Sequence, residues 1–584
     1  MNRRELLAFA TLSGLSEIGP GARADAAAQP PSAGAGRAPS GAVPAALKRF
    51  IPEYMRAMNA PGLTLALASR AGPLAVESFG FVDLAARTPL TTAHRFQIGS
   101  ITKSFTALMI LQLQDEGKLD VQQPILRHLP WLPVDTDYGE IRIHHLLTHS
   151  SGMPSDPPVV PTEPAQRVRQ AFRPGSQFHY SNWGYDVLGR LIEKLDGSSW
   201  QRAVTRRLLV PLGMNDTRPI IDSSGRSRLA QSYVPREDDR PYPRHGALVP
   251  AGNLTFTLAS GCISSTPLDM ARYLHMLLNS GAAPAGRVAS EEGFRLFSTP
   301  SVKAEEFGPG AHYAYGIAVD ELDGHKRLRH TGGMVSFMSA LQLDMESGFG
   351  AFASVNAQLG YRPNPVAQYA IKLLRASTER APAPVPPPAD EAAVLANAAD
   401  YIGSYAAPDG RSLSVDADGN RLVLTSDGVH IPLQHVEEDQ FIADHRQFAL
   451  FPIVFGRDHA PAGDTPPAEP KPAVIELAYG PDWYAHSRHG GQQAMPDIPG
   501  LAPYPGVYYS DSAWIGLVRI VVRRGQLWVN GVLPTELIGD GLFRLTDEPA
   551  SPEMLEFRNV IGGKARILVF GGGLLQRLDA ADEI

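Results

Sequence analysis

The stretch from Arg95 to Asp120, RFQIGSITKSFTALMILQLQDEGKLD, decides how the rest of the chain is interpreted. Ser100 and Lys103 stand three residues apart at the start of a long apolar run. On a helix, positions i and i+3 share one face, so the lysine amine would lie one turn from the serine hydroxyl. An alcohol is a poor nucleophile near neutral pH unless a base lies within hydrogen-bond reach. The pair is therefore either a nucleophile with its base, or only a helix cap followed by a lysine.

Burial favours the chemical interpretation of this pair. The residues after Lys103 are apolar on several faces, which predicts a buried helix. Burial lowers the pKa of a lysine, and a neutral amine can act as a base. None of the other eight lysines has a serine three residues before it. Ser-x-x-Lys is nevertheless common by chance, so both interpretations stay open on this stretch alone.

The stretch RPGSQFHYSNWGYDVLGRLIEKLDG, Arg173 to Gly197, offers a second set of polar groups. Tyr180-Ser181-Asn182 lies in a predicted turn before an amphipathic helix, where it could present a phenol and an amide to a cleft. A tyrosine flanked by cations loses its proton more easily and can act as a general base. The alternative is structural: Asn182 caps the helix and Tyr180 belongs to the core.

A third stretch, RLRHTGGMVSFMSALQLD, runs from Arg327 to Asp344. His330-Thr331-Gly332 ends an alternating strand, and Gly332-Gly333 allows another backbone to approach closely. A substrate could pair with this strand edge. A glycine bulge without a binding role is the alternative.

Taken together and in this order, Ser-x-x-Lys, Tyr-x-Asn and His-Thr-Gly resemble the serine β-lactamase and penicillin-binding protein superfamily. The nearest type is that of the class C β-lactamases and the D-alanyl-D-alanine carboxypeptidases. The stretches LLTHSSGMP (Leu146–Pro154) and ASGCISSTPLDMARYLHMLL (Ala259–Leu278) look like the same family. The resemblance covers about residues 43–378 and implies an enzyme that needs no cofactor and no metal.

The resemblance also implies a role for each matching position. Ser100 would be the acylated nucleophile, and Lys103 and Tyr180 would share proton transfer. Backbone N–H groups of Ser100 and Gly333 would form an oxyanion hole. His330 departs from the β-lactamases, which have a lysine there; a histidine often carries no charge near neutral pH, and this favours the peptidase and esterase branches. The implied substrate-binding residues are Asn182, which would orient the substrate or Lys103, and His330, Thr331, Gly332 and Gly333.

The pattern of strands predicts the fold class. Gly62–Arg70 and Pro73–Asp83 alternate as two strands, and strands return at Arg327–Arg329 and Phe337–Asn356 after a helix-rich middle. This order predicts an α/β (α+β) sandwich, like that of the β-lactamases and transpeptidases, in which the two ends share one sheet.

The chain changes character after APAPVPPPAD, Ala381 to Asp390, which predicts a proline-rich linker. Short strands follow, and they repeat. Two copies of such a unit predict two small antiparallel β-barrels. A catalytic domain followed by two barrels looks like the D-aminopeptidase architecture, whose barrels resemble lipocalins. The repeats are Tyr401-Ile-Gly-Ser-Tyr405 with Tyr504-Pro-Gly-Val-Tyr508, Leu413–Leu424 with Val518–Val529, and Leu433 and Phe441 with Leu537 and Phe543.

Composition and the amino terminus bound the remaining properties. The chain has 584 residues, a net charge of −7 and one cysteine, Cys262, which argues against nucleic-acid binding, an internal disulfide and a thiol-ligated metal. Arg3-Arg4 before Leu6–Leu15 predicts export, by the twin-arginine route if the arginine pair is read as its signal. No later run is apolar enough to span a membrane. The oligomeric state is left open.

We therefore predict five segments: a leader and disordered segment (1–42), a β-lactamase-like domain (43–378), a linker (379–392) and two barrels (393–495 and 496–584). The predicted activity is that of a serine hydrolase acting through an acyl-enzyme on an amide or ester, with a small molecule or short peptide as substrate. A D-amino-acid-directed peptidase is the leading subclass. An esterase, a weak β-lactamase and a non-catalytic penicillin or peptidoglycan sensor remain alternatives. The loop between Arg457 and Lys471 is predicted to restrict the substrate's amino end.

Overall fold

The structure is a computed structural model that describes residues 41–584 except 158, 160–166, 238, 242–244, 253, 358–362, 390–394, 396, 459–471, 492–499, 513, 547–548 and 579–584. The predicted leader and most of the predicted loop between Arg457 and Lys471 lie outside the described residues. The described chain forms two units. The N-terminal unit lies within Gly14–Val234 and Leu248–Ala389, and the C-terminal unit comprises Asp390–Ile584 with the insertion Pro235–Ala247.

An antiparallel sheet of nine described strands runs through the N-terminal unit. Its first strand, Gly62–Ser69, pairs with its last, Phe349–Val355. The prediction that the two ends of this region share one sheet is therefore confirmed. In chain order the strands are β1 (Gly62–Ser69), β2 (Gly72–Asp83), β3 (Thr88–Pro89), β4 (Val302–Lys303), β5 (His312–Tyr313), β6 (Ala318–Leu322), β7 (His325–Met334), β8 (Phe337–Asp344) and β9 (Phe349–Val355), and across the sheet they follow the order β4-β5-β6-β7-β8-β9-β1-β2-β3.

Helices cover both faces of this sheet. The first and last helices pack on one face, where Phe50 and Ile371 are buried with Leu63 and Leu65 of β1. On the other face, Pro267–Leu278 packs against β1, β2 and β9. The helices are α1 (Ala45–Ala57), α2 (Thr102–Asp115), α3 (Ile125–His128), α4 (Ile143–Leu147), α5 (Asn182–Asp196), α6 (Trp200–Val204), α7 (Val210–Leu212), α8 (Pro267–Leu278), α9 (Glu291–Ser298) and α10 (Asn364–Glu379).

Helix α2 is the buried helix that the opening stretch predicts. It follows directly on a 3-10 turn, Gly99–Ile101, so Ser100 and Lys103 belong to one continuous right-handed segment. Helices α5 and α9 pack against α2. Every residue from Thr102 to Leu111 is buried, including the polar Thr102, Lys103, Ser104 and Thr106.

The C-terminal unit contains two closed eight-stranded barrels, as the repeats predict. Each barrel closes by pairing its last strand with its first, through Tyr405 opposite His486 and through Tyr508 opposite Arg577. The first barrel consists of β10 (Gly403–Ala406), β11 (Ser412–Asp418), β12 (Arg421–Ser426), β13 (Val429–Glu437), β14 (Gln440–Ala443), β15 (Ile453–Arg457), β16 (Val474–Tyr479) and β17 (Asp482–His486). The second consists of β18 (Gly506–Tyr509), β19 (Leu517–Arg523), β20 (Gln526–Val529), β21 (Leu533–Gly539), β22 (Leu542–Leu545), β23 (Met554–Ile561), β24 (Lys564–Phe570) and β25 (Gly573–Arg577).

The repeated Tyr-x-Gly-x-Tyr sequence has the same structural basis in both barrels. The Tyr405 hydroxyl donates to the Tyr401 carbonyl at 2.6 Å, and the Tyr508 hydroxyl donates to the Tyr504 carbonyl at 2.8 Å. A Cβ on Gly403 would lie 2.1 Å from a ring nitrogen on the closing strand β17, so only glycine fits there.

One residue match between the repeats is wrong. Leu433 pairs with Ala443, and the equivalent pair in the second barrel is Thr535 with Leu545. Thr535 is buried like Leu433, whereas Leu537 is 63% exposed. Residues two apart in a strand face the same side, so alternation in the sequence cannot distinguish the two alignments.

The two barrels meet through a buried arginine. Arg523 of β19 donates to the carbonyls of Gly480, in the β16–β17 turn of the first barrel, and Gly531 of its own barrel, at 3.0 and 2.9 Å. Its guanidinium lies 3.6 Å from the centre of the Trp528 ring. Burial lowers the pKa of Arg523 to about 10, which still leaves it charged near neutral pH.

Within the described residues, every helix is too short or too polar to cross a bilayer.

Candidate active site

Ser100 and Lys103 lie within hydrogen-bond distance of each other at the amino end of α2. The Lys103 amine donates to Ser100 Oγ at 3.1 Å. Ser100 is half-buried, so its hydroxyl can meet a substrate, whereas Lys103 is fully buried. The structure thus brings a candidate base within reach of a candidate nucleophile.

Asn182, the first residue of α5, is a second partner of Lys103. Its side-chain oxygen accepts a short hydrogen bond from Lys103 Nζ, and its Nδ2 donates to Asp156 Oδ1 at 3.1 Å. Asp156 thereby fixes which way the amide faces. The cap of α5 is Ser181, whose hydroxyl accepts from the Gly184 N–H at 3.2 Å, so the alternative in which Asn182 caps the helix is wrong.

Tyr180 lies immediately before α5, against the ring of His149. The two ring centroids are 4.2 Å apart, and the Lys103 amine is 4.8 Å from the centre of the Tyr180 ring. His149 Nδ1 accepts from the Ser181 N–H at 3.0 Å, which leaves the ring proton on Nε2. Burial and the charge of Lys103 hold the pKa of His149 well below its ordinary value. His149 is therefore a neutral support for Tyr180.

Strand β7 delivers the His-Thr-Gly stretch to the same place. A Cβ on Gly332 would lie 1.9 Å from the Ile98 carbonyl oxygen, and one on Gly99 would lie 2.6 Å from the Gly333 carbonyl oxygen. Both positions therefore need glycine because β7 runs directly against the residues before Ser100. The Gly333 backbone is thus held beside that of Gly99, one residue from Ser100.

The end of β7 leaves a strand edge at the site. Strand β6 begins at Ala318, opposite Arg329. From His330 to Gly332, β7 continues with β8 as its only ladder partner among the described strands. Thr331, opposite Ala340 of β8, lies on this segment. The pairing of a substrate along this edge stays a prediction.

The His330 side chain is turned into the protein rather than towards this edge. It is 2% exposed, and its Nε2 lies 2.8 Å from the Tyr313 hydroxyl. Its Nδ1 lies 2.5 Å from the Thr331 carbonyl oxygen. A carbonyl can only accept, so Nδ1 carries a proton and Nε2 can accept from Tyr313. Both ring nitrogens are thus used within the protein.

Burial sets the charge of Lys103. It lowers the pKa of Lys103 to about 7, against the opposing effects of the Asp186 and Asp156 carboxylates. An amine with this pKa is substantially unprotonated near neutral pH and can accept the proton of Ser100. The Ser260 carbonyl also accepts from Lys103 Nζ, at 3.1 Å. An unprotonated amine has two N–H groups, for Asn182 and Ser260, and a lone pair that can accept from the Ser100 hydroxyl.

The sequence did not reveal several of these neighbours. Asp156, Ser260 and Tyr313 contact predicted site residues, and Asp186 contacts Ser260 and acts on Lys103 through its charge, yet none belongs to the three motifs. Asp186 left one signal: it is an acidic residue beside the apolar stripe of α5, four positions after Asn182 and on the same helix face.

The matching family model carries the description Beta-lactamase and covers residues 47–376, more than half of the chain. The chain therefore belongs to the β-lactamase family, within the superfamily of serine β-lactamases and penicillin-binding proteins.

Particular relatives agree with this family. The chain is 30% identical over 269 residues to Protein Rv1367c of Mycobacterium tuberculosis, covering 40% of this chain and 66% of that protein. It is 29% identical over 242 residues to penicillin-binding protein 4 of Amycolatopsis lactamdurans, covering 39% and 62%. The octameric penicillin-binding protein homologue from Pyrococcus abyssi matches with a TM-score of 0.54 and 25% identity, over 75% of this chain and 99% of that one. The chain spans less than two thirds of the length of these curated relatives.

Proposed function

We propose that the protein is a serine hydrolase in which Ser100 is acylated by an amide or an ester and water then releases the acyl group. The observation that carries this proposal is the Lys103 amine, buried and bonded to Ser100 Oγ at 3.1 Å. Lys103 takes the Ser100 proton, with Tyr180 sharing the transfer to the leaving group. The carbonyl oxygen of the substrate lies against the backbone N–H groups of Ser100 and Gly333.

The narrower proposal is a peptidase directed to D-amino acids. Two observations support it. Relatives include a penicillin-binding protein, and the match to the Pyrococcus abyssi homologue covers 75% of this chain, more than the segment 47–376 alone. The likeness to that protein therefore extends beyond the catalytic domain.

An esterase is the second candidate. His330 is buried and both its ring nitrogens are bonded within the protein, so it is a poorer partner for a substrate carboxylate than the lysine that β-lactamases have at this position. This difference favours the esterase and peptidase branches together over a β-lactamase, and a comparison of substrates separates the two branches.

Covalent labelling followed by turnover tests the general proposal. The full chain should be labelled by a fluorescent penicillin or a fluorophosphonate and should turn over p-nitrophenyl acetate. Labelling without turnover of p-nitrophenyl acetate, nitrocefin, aminoacyl amides or short esters would support the alternative of a penicillin-binding sensor. Comparison of D- and L-aminoacyl p-nitroanilides with short-chain esters then separates peptidase from esterase. Equal rates for both enantiomers would contradict the narrower proposal.

A further inference from the structure

Asp186 is an acidic residue beside the candidate active site, and none of the three motifs assigns it a role. It lies on α5 one turn after Asn182 and is 8% exposed. Its Oδ1 accepts a hydrogen bond from the Ser260 N–H at 2.9 Å. A buried carboxylate is costly unless it is hydrogen-bonded or paired with a charge. The Ser260 N–H and the charge of Lys103 stabilise the Asp186 carboxylate in this way.

Ser260 connects this carboxylate to Lys103. The Ser260 carbonyl accepts from Lys103 Nζ at 3.1 Å, while the Ser260 N–H donates to Asp186. The neighbouring carbonyl, that of Ala259, accepts from the Thr106 hydroxyl of α2 at 2.9 Å. The backbone of Ala259 and Ser260 is therefore held by Asp186 on one side and by Lys103 and Thr106 on the other.

We propose that Asp186 is a positioning residue of this site: it fixes the Ser260 carbonyl that directs the Lys103 amine towards Ser100, and its charge sets how readily that amine is protonated. The proposal rests on the proposed function for its catalytic meaning. Asn182 holds the Lys103 amine directly, and Asp186 holds it through Ser260. Two residues on one face of α5 therefore orient the same amine.

The groups around the pair determine the direction of the effect. Burial raises the pKa of Asp186 to about 6, against the Ser260 hydrogen bonds and the charge of Lys103. Of the two carboxylates that raise the pKa of Lys103, Asp186 has the larger effect. The titratable or charged groups that face Lys103 are Asp186 and Tyr185 from α5 and Asp156, Tyr180 and His149 from the loops beside it; those that face Asp186 are Lys103, Arg190 and the Cys262 thiol.

Asp186→Asn tests the charge and keeps an acceptor for the Ser260 N–H. Without the carboxylate, protonated Lys103 loses the stronger of its two stabilising charges, so the pKa of Lys103 falls and free amine appears at lower pH. We expect the acid limb of kcat/KM to move down by roughly one pH unit. Asp186→Ala also removes the acceptor and should lower kcat by roughly tenfold or more, because the amine is then misdirected.

Asp269→Asn is the matched control. Asp269 is also a buried carboxylate, but its partners are the Thr217 hydroxyl, the Asp216 N–H and Arg272, and it is not among the groups that act on Lys103. This variant should leave the acid limb in place. A shift of equal size in both variants, or no shift in Asp186→Asn, would overturn the proposal.

A direct titration keeps this test independent of activity. The full chain contains nine lysines, so lysine labelled with ¹³C at Cε can be followed by NMR, with Lys103→Ala identifying its signal. The Lys103 midpoint should be lower in Asp186→Asn than in the unchanged protein. A shifted midpoint in a chain without turnover would contradict the proposed function but not the role of Asp186. An unshifted midpoint in an active enzyme would contradict the role of Asp186 but not the proposed function.

Discussion

At the scale of single residues, Tyr180 is an aromatic residue that contacts both the His149 ring and the Lys103 amine. Its ring packs on neutral His149, and the Lys103 amine lies 4.8 Å from its centre. A cation near an aromatic face is stabilised by that face. Tyr180 therefore acts on Lys103 through its ring, and this effect can be separated from the proposed proton transfer by its hydroxyl.

Tyr180→Phe keeps the ring and removes the hydroxyl. We expect acylation to slow by roughly a hundredfold or more, which is typical for the loss of a proton-transfer group, with a much smaller change in KM. Stopped-flow acylation by a chromogenic ester measures this. Near-normal turnover would mean that Lys103 alone moves the proton.

The pH dependence follows from the same lysine. Burial lowers the pKa of Lys103 to about 7, and the amine acts as a base only when unprotonated. The kcat/KM of the unchanged enzyme should therefore rise with pH, with a midpoint near pH 7, and become constant above that limb. Rates across pH 5–9 at constant ionic strength test this. A rate that is already maximal at pH 5 would contradict a lysine base.

At the scale of elements, the site depends on how closely β7 approaches the turn before α2. Gly332→Ala would place a Cβ 1.9 Å from the Ile98 carbonyl oxygen, whereas a Cβ on Gly333 would meet nothing closer than Met338 Sδ at 3.7 Å. We expect Gly332→Ala to destabilise the N-terminal unit by about 3 kcal/mol, as overpacking does, and Gly333→Ala to change its stability little. Chemical denaturation of both variants compares them, and equal stabilities would mean that β7 can move away from Ile98 without cost.

Local patterns carried much of the prediction at this scale. The apolar run after Lys103 predicted α2, alternation predicted β7 and β8, and the Tyr-x-Gly-x-Tyr repeats predicted both barrels, because each depends on residues close in sequence. Ser260 and Asn182 meet Lys103 across 157 and 79 residues. Such contacts depend on how helices and loops pack, which periodicity does not encode. Asp156 and Tyr313 were missed for the same reason.

At the scale of the whole molecule, the barrels are separated from the catalytic unit by a proline-rich segment, and the division between units falls after Ala389. Deleting residues 385–584 should leave a catalytic domain that folds, because the sheet and its covering helices are complete without them. We predict that the shortened enzyme accepts bulkier or N-blocked substrates. The Pro235–Ala247 insertion groups with the barrels, so circular dichroism must first establish folding.

Kinetics on matched free and N-acetylated amides measure this change in selectivity. The full-length enzyme should prefer the free amine, and the shortened one should lose that preference. Identical selectivity in two folded, active forms would mean that the barrels do not restrict the substrate.

The proposed hydrolysis requires that Ser100 becomes acylated. The most direct measurement is mass spectrometry of the full chain trapped with a slowly hydrolysed acylating agent, with Ser100→Ala as the control. One acyl group should be found on the peptide that contains Ser100, and the variant should carry none while keeping its fold. An adduct on another serine, or equal labelling of Ser100→Ala, would contradict the account.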